Sequence, residues 1–523
     1  MRKRVTTLLA VAILLCSAFS WAQETKEDVL ALTLDETILR TLKNNYGVAI
    51  QVLSPEIDSL GISRAREQYL PTLSMGYNKR NTLAASYSWL DAAEDVKTEY
   101  YSYDAQVTQL LPIGGTVAFS MVNYRNFSTS KFQTVNPRFS STLRFDFSQP
   151  LLKGFGTKMT NYNILISQNN YEISENDLEA TVADIINLVT QAYWNLAYSI
   201  ETLKVRQQAL DLARDLLSKN QRAVEVGTLA PIEILSAQAE VATREADILS
   251  AEVDVKNNED RLRTIINLPE AEMKMALPIK PLDSPRFIEQ QIDVDEALMT
   301  AMQNRPELKS LKVTLRNQDL NVSYAKNQLL PNLSLNGSYW SPGLSGDQII
   351  YEGNNPLTGK IIGILPGGIG GAVADALGFK YSNWSLGLSL DIPLNSVFSR
   401  AAYAQAKVSL EQATLRLKNQ EQTIYLEIRN GIRAVETNYK RVQSYRVARE
   451  LADKKLQAEE EKLRVGLSTN FIVLTYQRDL SNARSSELRA IVDYIISVAS
   501  LEKAMGVSLK NQNISINQLM QND

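Results

Sequence analysis

Apolar residues recur at three- and four-residue spacing over two very long segments, the pattern of an α-helix with one buried face. The first runs from about Asn163 to Glu225 without proline or glycine, and the second from Ser399 to Val465 with Gly431 as its only helix-breaking residue. Shorter segments of the same period follow, from about Pro231 to Ile266 and from Asn470 to Met505. At 1.5 Å per residue the first helix would be roughly 95 Å long. This length predicts two antiparallel helical hairpins rather than a globular helical core.

Four shorter segments alternate apolar residues with small or polar ones, the period-two pattern of a β-strand with one apolar face. The predicted strands lie at Leu73–Tyr77, Leu143–Phe147, Leu333–Leu335 and Leu386–Ile392. Two long loops, Asn81 to Ser140 and Ser341 to Tyr381, separate the members of each pair. Such strands fit a transmembrane barrel with an apolar lipid face and a wet lumen. They also fit an antiparallel sheet on a soluble core, and alternation alone leaves both open.

Both predicted loops contain further patterned sequence. In the first, Tyr101–Leu111 and Thr116–Tyr124 flank Pro112-Ile113-Gly114-Gly115, which indicates a hairpin that either adds strands or extends the loop. In the second, Ile361–Phe379 is the most apolar stretch after the N-terminus, but a proline, an aspartate and several glycines predict a loop. No later stretch reaches the roughly 18 consecutive apolar residues of a membrane-spanning helix.

The chain is internally duplicated. Val48 to Pro71 aligns without a gap with Leu308 to Pro331, 260 positions later, and Val226-Gly227-Thr228-Leu229 aligns with Val465-Gly466-Leu467-Ser468 at an offset of 239. Each copy therefore reads as short helix, strand, loop, strand and long helix pair. A duplication of this extent predicts one intertwined body rather than separate domains.

The predicted organisation has five parts. They are a signal peptide at 1–22, a first repeat at 23–268, a proline-rich linker at 269–293, a second repeat at 294–506 and a flexible polar tail at 507–523. The first repeat opens with a helix from Thr33 to about Gln68, interrupted at Asn44, Gly47 and Pro55. Its counterpart runs from Val294 to Gln328 and breaks at Arg305-Pro306.

The N-terminus reads as an export signal. Arg2, Lys3 and Arg4 precede an apolar run that ends in Ser20-Trp21-Ala22, a cleavage pattern. Cys16, the only cysteine, lies inside it; cleavage before Cys16 would make a lipoprotein, but Leu15 is a poor fit there. Removing three of the 55 basic residues and none of the 58 acidic ones leaves a net charge of −6. That charge gives no reason to expect a nucleic-acid partner.

Composition also bears on catalysis. The chain has no histidine, and the mature chain would have no thiol, so the commonest general base and the usual zinc ligands are missing. No phosphate-binding loop, nucleophile elbow or metal-ligand spacing occurs. We therefore expect a protein that is not an enzyme and that needs no cofactor or metal.

The features that remain resemble the TolC-like outer-membrane efflux protein family over almost the whole mature chain. The matching motifs are Gln68-Tyr69-Leu70-Pro71, Gln328-Leu329-Leu330-Pro331, Asn304-Arg305-Pro306-Glu307-Leu308, Val226-Gly227 followed by Pro231 to Gln238, and Val465-Gly466 followed by Leu474, Gln477 and Ala499 to Gly506. The resemblance implies a homotrimer whose chains build one outer-membrane β-barrel, continued by a periplasmic α-helical barrel. Each copy of a family protomer typically supplies two strands, so the Tyr101–Tyr124 hairpin is an addition.

The resemblance also implies partners and a gate. Two turns, Val226, Gly227, Thr228, Leu229 and Val465, Gly466, Leu467, Ser468, would be the periplasmic tips that meet an adaptor protein and an inner-membrane transporter; the sheet would contact outer-membrane lipid. Better-known members place acidic residues six and nine positions after the second glycine, where this chain has Ile472 and Thr475. We expect a gate with an apolar collar at Ile472 and acidic groups at Glu233, Glu240 and Asp479. Alternatively, Glu240 and Asp479 are solvated surface acids.

The resemblance implies a passive duct for efflux or type I secretion, opened when its tips engage the partners. A secreted or periplasmic coiled-coil scaffold without transport activity is the alternative, because it would share the long helices. It would not need two strand pairs at matched positions. The sequence leaves the cargo open, whether drug, metal, peptide or protein.

Overall fold

A computed structural model of the chain describes residues 29–269, 277–285, 287–289, 292–358, 360–516 and 520. The predicted signal peptide and Cys16 lie outside these residues. The chain divides into two compact units, each assembled from separate stretches of sequence. The first takes the described residues of Met1–Ser54, Glu175–Ser310 and Lys418–Asp523; the second is formed by Pro55–Ser174 and Leu311–Leu417. Each unit therefore draws on both sequence repeats.

Helices account for most of the described chain. In the first half they are α1 (Leu34–Asn44), α2 (Tyr46–Arg66), α3 (Thr157–Thr160), α4 (Tyr162–Glu225) and α5 (Ile232–Ile266). In the second half they are α6 (Val294–Asn304), α7 (Pro306–Asn327), α8 (Ile369–Leu377), α9 (Val397–Arg464), α10 (Asn470–Met505) and α11 (Ser508–Asn511). Short 3₁₀ turns lie at Glu67–Tyr69, Trp89–Asp91, Glu352–Asn354 and Pro356–Thr358.

The four long helices are confirmed close to their predicted ends. α4 has 64 residues and α9 has 68, and α9 passes through Gly431 without a break. Among the described residues, no helix is both long and apolar enough to cross a membrane. Salt bridges join the paired helices, such as Arg214 to Glu245 at 2.6 Å and Arg449 to Glu487 at 2.7 Å. Charged side chains thus line the outer edges of narrow apolar seams.

The shorter helices follow the predicted breaks only in part. The break at Arg305-Pro306 is confirmed, because α6 ends at Asn304 and α7 begins at Pro306. The first copy breaks once, at Asn45, and α2 then continues through both Gly47 and Pro55. The predicted interruption at Asn44 is thus confirmed, the one at Gly47 is wrong, and so is the one at Pro55. Its ring is buried, and that packing compensates for the backbone hydrogen bond that proline cannot make.

The first unit has an apolar core around Tyr193, which is fully buried. Its hydroxyl donates to Asp283 Oδ2 at 2.7 Å and lies 3.1 Å from the carbonyl oxygen of Leu32. Leu32 belongs to strand β1 (Leu30–Leu32), which pairs in parallel with β6 (Ile279–Pro281). The predicted linker 269–293 therefore contains a strand, because buried Ile279 anchors it in this core.

The chain end also differs from the prediction. The tail predicted to be flexible from residue 507 contains α11, and Leu509, Ile514 and Ile516 pack against a cluster that includes Ile38 and Val182. The prediction is wrong for this part because these three apolar residues, which are scattered among polar ones, pack against a buried cluster.

The second unit contains a seven-stranded antiparallel sheet. Its strands are β2 (Thr72–Ala85), β3 (Asp95–Leu110), β4 (Thr116–Ser128), β5 (Val135–Pro150), β7 (Asn332–Tyr351), β8 (Ile361–Leu365) and β9 (Asn383–Asp391). The spatial order is β2-β3-β4-β5-β7, and the far edge of β7 pairs with β9 near its start and with β8 near its end. The four predicted strands are confirmed, and each is longer than predicted.

The two predicted long loops are wrong for most of their length. The hairpin in the first is confirmed as β3 and β4, and both strands are integral to the sheet. In the second, β7 runs on to Tyr351, and the stretch Ile361–Phe379 forms β8 and α8 instead of a loop. The second loop prediction failed because glycine allows α8 to pack directly on the backbone of the sheet. A Cβ on Gly343 would lie 1.9 Å from the Ala372 carbonyl oxygen.

Candidate functional site

One row of side chains crosses all six long strands on a single face of the sheet. Its members are aligned by the strand register: Leu73, Val107, Phe119, Phe145, Tyr339 and Trp384. All six are apolar or aromatic, and they are between 38% and 75% exposed. A sheet that rests on a soluble core would bury such a row. The arrangement is that of a lipid-facing surface.

The opposite face carries small and polar side chains. The neighbouring row is Thr72, Thr108, Ala118, Asp146, Ser338 and Ser385. On this face the Arg144 Nε atom donates to Asp146 at 2.8 Å, and Ser338 donates to the same carboxylate at 2.5 Å. A network of this kind suits a wet lumen, where water completes the remaining hydrogen bonds. The sheet therefore carries an exposed apolar row on one face and small and polar side chains on the other.

The two predicted tips have the same backbone geometry. Gly227 and Gly466 have φ values of 76° and 78°, the left-handed conformation that glycine adopts without a Cβ penalty. In the first turn the Gly227 and Thr228 amides donate to the carbonyls of Val224 and Ala223. In the second, Gly466 and Leu467 donate to Leu463 and Lys462 in the same way. Both hairpins thus end α4 and α9 with a Schellman motif.

Apolar side chains are exposed at both turns. Val226 is 74% exposed, Val465 63% and Leu467 78%, and Phe471, the second residue of α10, is 68% exposed. Exposed apolar residues are ordinary when they are scattered singly, but here they cluster at two equivalent turns. Phe471 was not singled out from the sequence. Its position five residues after Gly466 is the signal that could have identified it.

The second tip is also held by a carboxylate. Ser468 donates to Glu459 Oε1 at 2.6 Å, and Lys462 donates to Glu459 Oε2 at 3.0 Å. These hydrogen bonds, with that of Ser468 the larger effect, lower the pKa of Glu459. In the first tip Thr228 instead donates its hydroxyl to the Ala223 carbonyl at 2.9 Å. The two turns therefore share a backbone but differ in side-chain support.

The candidate gate residues occupy different environments. Ile472 and Thr475 are half-buried on α10, and Asp479 is exposed. Glu233 is half-buried, and its Oε2 atom is buried without a hydrogen-bond partner among the described residues. Within one chain, the helices next to the tips pack through apolar side chains. Val473 and Leu474 of α10 form a cluster with Leu216 of α4 and Leu456 of α9.

Glu240 has a partner that the sequence analysis missed. Its Oε1 atom lies 2.8 Å from Arg244 Nη2, and the Arg244 side chain is only 6% exposed. The contact is an ion pair rather than a directed hydrogen bond, because Arg244 Nε and Nη2 have no hydrogen-bond partner within the described part of the chain. The i,i+4 spacing of glutamate and arginine on α5 is the signal that could have revealed it. The charge of Glu240 is therefore compensated locally.

An amphipathic sheet with an exposed apolar face, followed along the chain by two helical hairpins with matched tips, defines the class of outer-membrane channel proteins. The family model described as outer membrane efflux protein matches residues 62–268 and 297–507, and the chain belongs to that family. It is accordingly a TolC-like protein of the outer membrane, with its helical hairpins in the periplasm.

Individual relatives are distant. TolC of Vibrio cholerae is 25% identical over 348 residues, which cover 66% of this chain and 72% of that protein. Nodulation protein T of Rhizobium leguminosarum bv. trifolii is 21% identical over 350 residues, covering 65% and 68%. Among solved structures, the Campylobacter jejuni CmeC outer membrane channel has a TM-score of 0.63 at 16% identity and covers 93% of this chain and 90% of its own. This likeness supports the fold.

Proposed function

We propose that three copies of this chain form the outer-membrane duct of a tripartite efflux or type I secretion system. The duct conducts cargo passively from a periplasmic adaptor and an inner-membrane transporter to the outside. The observation that carries the proposal is the exposed apolar row across six strands, backed by a polar face. A soluble scaffold gains nothing from such a surface, because water would meet 38–75% of each of these side chains.

Purification and reconstitution test this function. We expect a trimer that survives detergent electrophoresis without heating and dissociates on boiling, with β-signal in circular dichroism. In a planar bilayer the trimer should give discrete conductance steps. A soluble monomer without conductance would refute the duct and favour the coiled-coil scaffold.

The tips are proposed as the docking sites for the adaptor. Exposed Val226, Val465 and Leu467 would be buried on engagement, which supplies an apolar driving force. In a host that coexpresses the adaptor and transporter encoded by the neighbouring genes, Leu467→Ser should reduce export, while the trimer remains intact. Leu249→Ser is the matched control, since Leu249 is 64% exposed on α5 away from the turn. Equal loss in both variants would argue against docking at the tip.

The gate is proposed to combine an apolar collar at Ile472 with acidic groups at Glu233 and Asp479. Glu240 belongs to the same region, but its pairing with Arg244 reduces its effect on passing ions. An acidic entrance raises the local concentration of cations. The double variant Glu233→Gln with Asp479→Asn should therefore lower the cation-to-anion permeability ratio. Glu436→Gln is the control, because Glu436 is an exposed acid on α9 far from the turn. An unchanged permeability ratio in the double variant would refute the acidic gate.

A further inference from the structure

The sheet of one chain has two open edges. Along the order β2-β3-β4-β5-β7-β9, strand β2 forms one end and β9 the other, and every pairing between them is antiparallel. These are also the most exposed strands: all of β2 except Gly76 and all of β9 except Asn383 are exposed. In a lipid environment an unpaired strand edge costs several kcal/mol for each unsatisfied backbone group. Both edges therefore require a partner strand.

Strand direction makes a second copy of the chain a suitable partner. The path contains six long strands, so β2 and β9 run in opposite directions. β9 of one copy can consequently add to β2 of the next in the antiparallel sense found throughout the sheet. A ring of such copies closes without an edge for any number of chains.

The internal repeat fixes the register of this contact. Within one chain, β5 is the last strand of the first copy and β7 is the first strand of the second, and they pair with Pro150 opposite Ser334. The corresponding strands between chains are β9 and β2. Aligning Pro393 with Pro150, and Ser74 with Ser334 at the offset of 260, places Ser389 opposite Asn78 and Trp384 opposite Leu83.

The register agrees with the two faces of the sheet. Trp384 and Leu83 both lie on the apolar face, and Ser389 and Asn78 both lie on the polar face. A slip of one residue would place apolar side chains opposite polar ones. Two independent features, the repeat offset and the side-chain alternation, therefore lead to the same pairing.

We propose that β9 of each chain pairs with β2 of the next in this register, so that three chains close a barrel of eighteen long strands. The inference rests on the proposed trimeric duct. It departs from the two strands per copy implied by the family resemblance, which would give twelve. The difference is the β3–β4 hairpin, which lies between β2 and β5 in the sheet instead of outside it.

The strand number sets the width of the opening. With strands about 4.8 Å apart and tilted by roughly 40°, eighteen strands enclose a ring roughly 36 Å across at the backbone, against roughly 24 Å for twelve. Barrels of 16–18 strands leave an aqueous channel. The outer-membrane section would then be wider than that of a twelve-stranded relative.

Cysteine cross-linking tests the interface in the intact trimer. The only native cysteine, Cys16, lies in the predicted signal peptide, so the mature protein supplies a clean background. Asn78→Cys with Ser389→Cys should give covalent trimers on oxidation that survive boiling without reductant. Ser74→Cys with Ser389→Cys, four residues out of register on the same face, is the matched control and should not. Trimers that assemble without forming the first cross-link would overturn the proposed contact.

A second set of variants tests the strand number. Thr72→Cys with Thr108→Cys joins β2 to β3, which are paired at these residues, and should cross-link within one chain. If the hairpin lay outside the barrel, β2 would pair with β5; the β7–β9 register, carried to the first copy, then places Thr72 opposite Ser148. Cross-linking of Thr72→Cys with Ser148→Cys instead would establish twelve strands. A trimer that conducts but fails these tests refutes the strand count alone, whereas a soluble monomer refutes the duct.

Discussion

Removing the Glu240 carboxylate should destabilise the first helical hairpin far more than loss of an exposed helix ion pair. An exposed i,i+4 pair contributes about 0.3–0.5 kcal/mol. Arg244, however, is only 6% exposed, and two of its three nitrogens already lack hydrogen bonds among the described residues. Breaking a buried pair on one side costs about 3–5 kcal/mol. Because Glu240 itself is 21% exposed, we expect about 2–3 kcal/mol for Glu240→Gln.

The two partners should respond unequally. Arg244→Met removes the buried charge together with its desolvation cost and leaves Glu240 able to reach water, so the loss should be about 1 kcal/mol or less. The double variant should resemble Arg244→Met alone. This order would distinguish an uncompensated buried charge from simple loss of an attractive contact, for which both single variants would be equally damaging.

Hydrogen exchange of the α5 amides in the purified trimer measures this effect. A change of 2–3 kcal/mol corresponds to roughly 30- to 150-fold faster exchange through local opening. Asp254→Asn is the control, since Asp254 is an exposed acid on the same helix. If Asp254→Asn matched Glu240→Gln, or if Arg244→Met were the more damaging variant, the reasoning from burial would be refuted.

Three further predictions concern glycine and the second tip. Gly343→Ala should displace α8 from the sheet and cost about 1–3 kcal/mol of stability. Gly387→Ala is the control and should be tolerated, because the space around its Cβ is open. The temperature at which the trimer dissociates on heating should therefore fall for the first variant and not for the second. Gly466→Ala, at a φ of 78° with nothing near its Cβ, should cost about 1–2 kcal/mol from backbone strain alone, seen as faster amide exchange at that turn only. Because the pKa of Glu459 is lowered in the folded protein, its ionised carboxylate stabilises the tip at pH values above about 4.3, the pKa of an unfolded glutamate. This stabilisation is lost as the pH falls through the folded pKa. Ser468→Ala should raise that pKa, so amide exchange measured between pH 3 and 5 should show the tip loosening at a higher pH.

The sequence predicts the long helices well because their signal is strong and local. α4 begins within one residue of its predicted start, since helical periodicity without proline or glycine leaves few alternatives. The sheet was underestimated. Near their outer ends, β3 and β4 carry tyrosine on both faces, and Lys97, Glu99 and Arg125 lie on the face that is apolar further in, so the alternation fades where the strands continue. Pairing with neighbouring strands, which the local pattern does not encode, maintains them.

Other misses depend on contacts between distant residues. The glycine-rich stretch that forms α8 reads as a loop, because glycine is a poor helix former in isolation. In the folded protein α8 packs closely against Gly343, and only small residues on the helix allow that approach. At the candidate gate, the residues were located by their distance from the tip glycine. The i,i+4 spacing could have suggested the pairing of Glu240 with Arg244, but the burial of Arg244 depends on packing that the local sequence does not encode.

The β3–β4 hairpin has an evolutionary consequence. Strand β2 ends at Ala85, and β5, the last strand of the first repeat, begins at Val135 at the corresponding end of the sheet, so β3 and β4 are inserted between two neighbouring strand ends. Inserting an up-and-down pair of strands at that position changes neither the direction of β5 nor the start of the helices after it. A gene could therefore acquire such hairpins one at a time, each adding six strands to the proposed three-chain ring, without altering the helical hairpins proposed to engage a transporter. Pore circumference and pump compatibility would then evolve as separate traits.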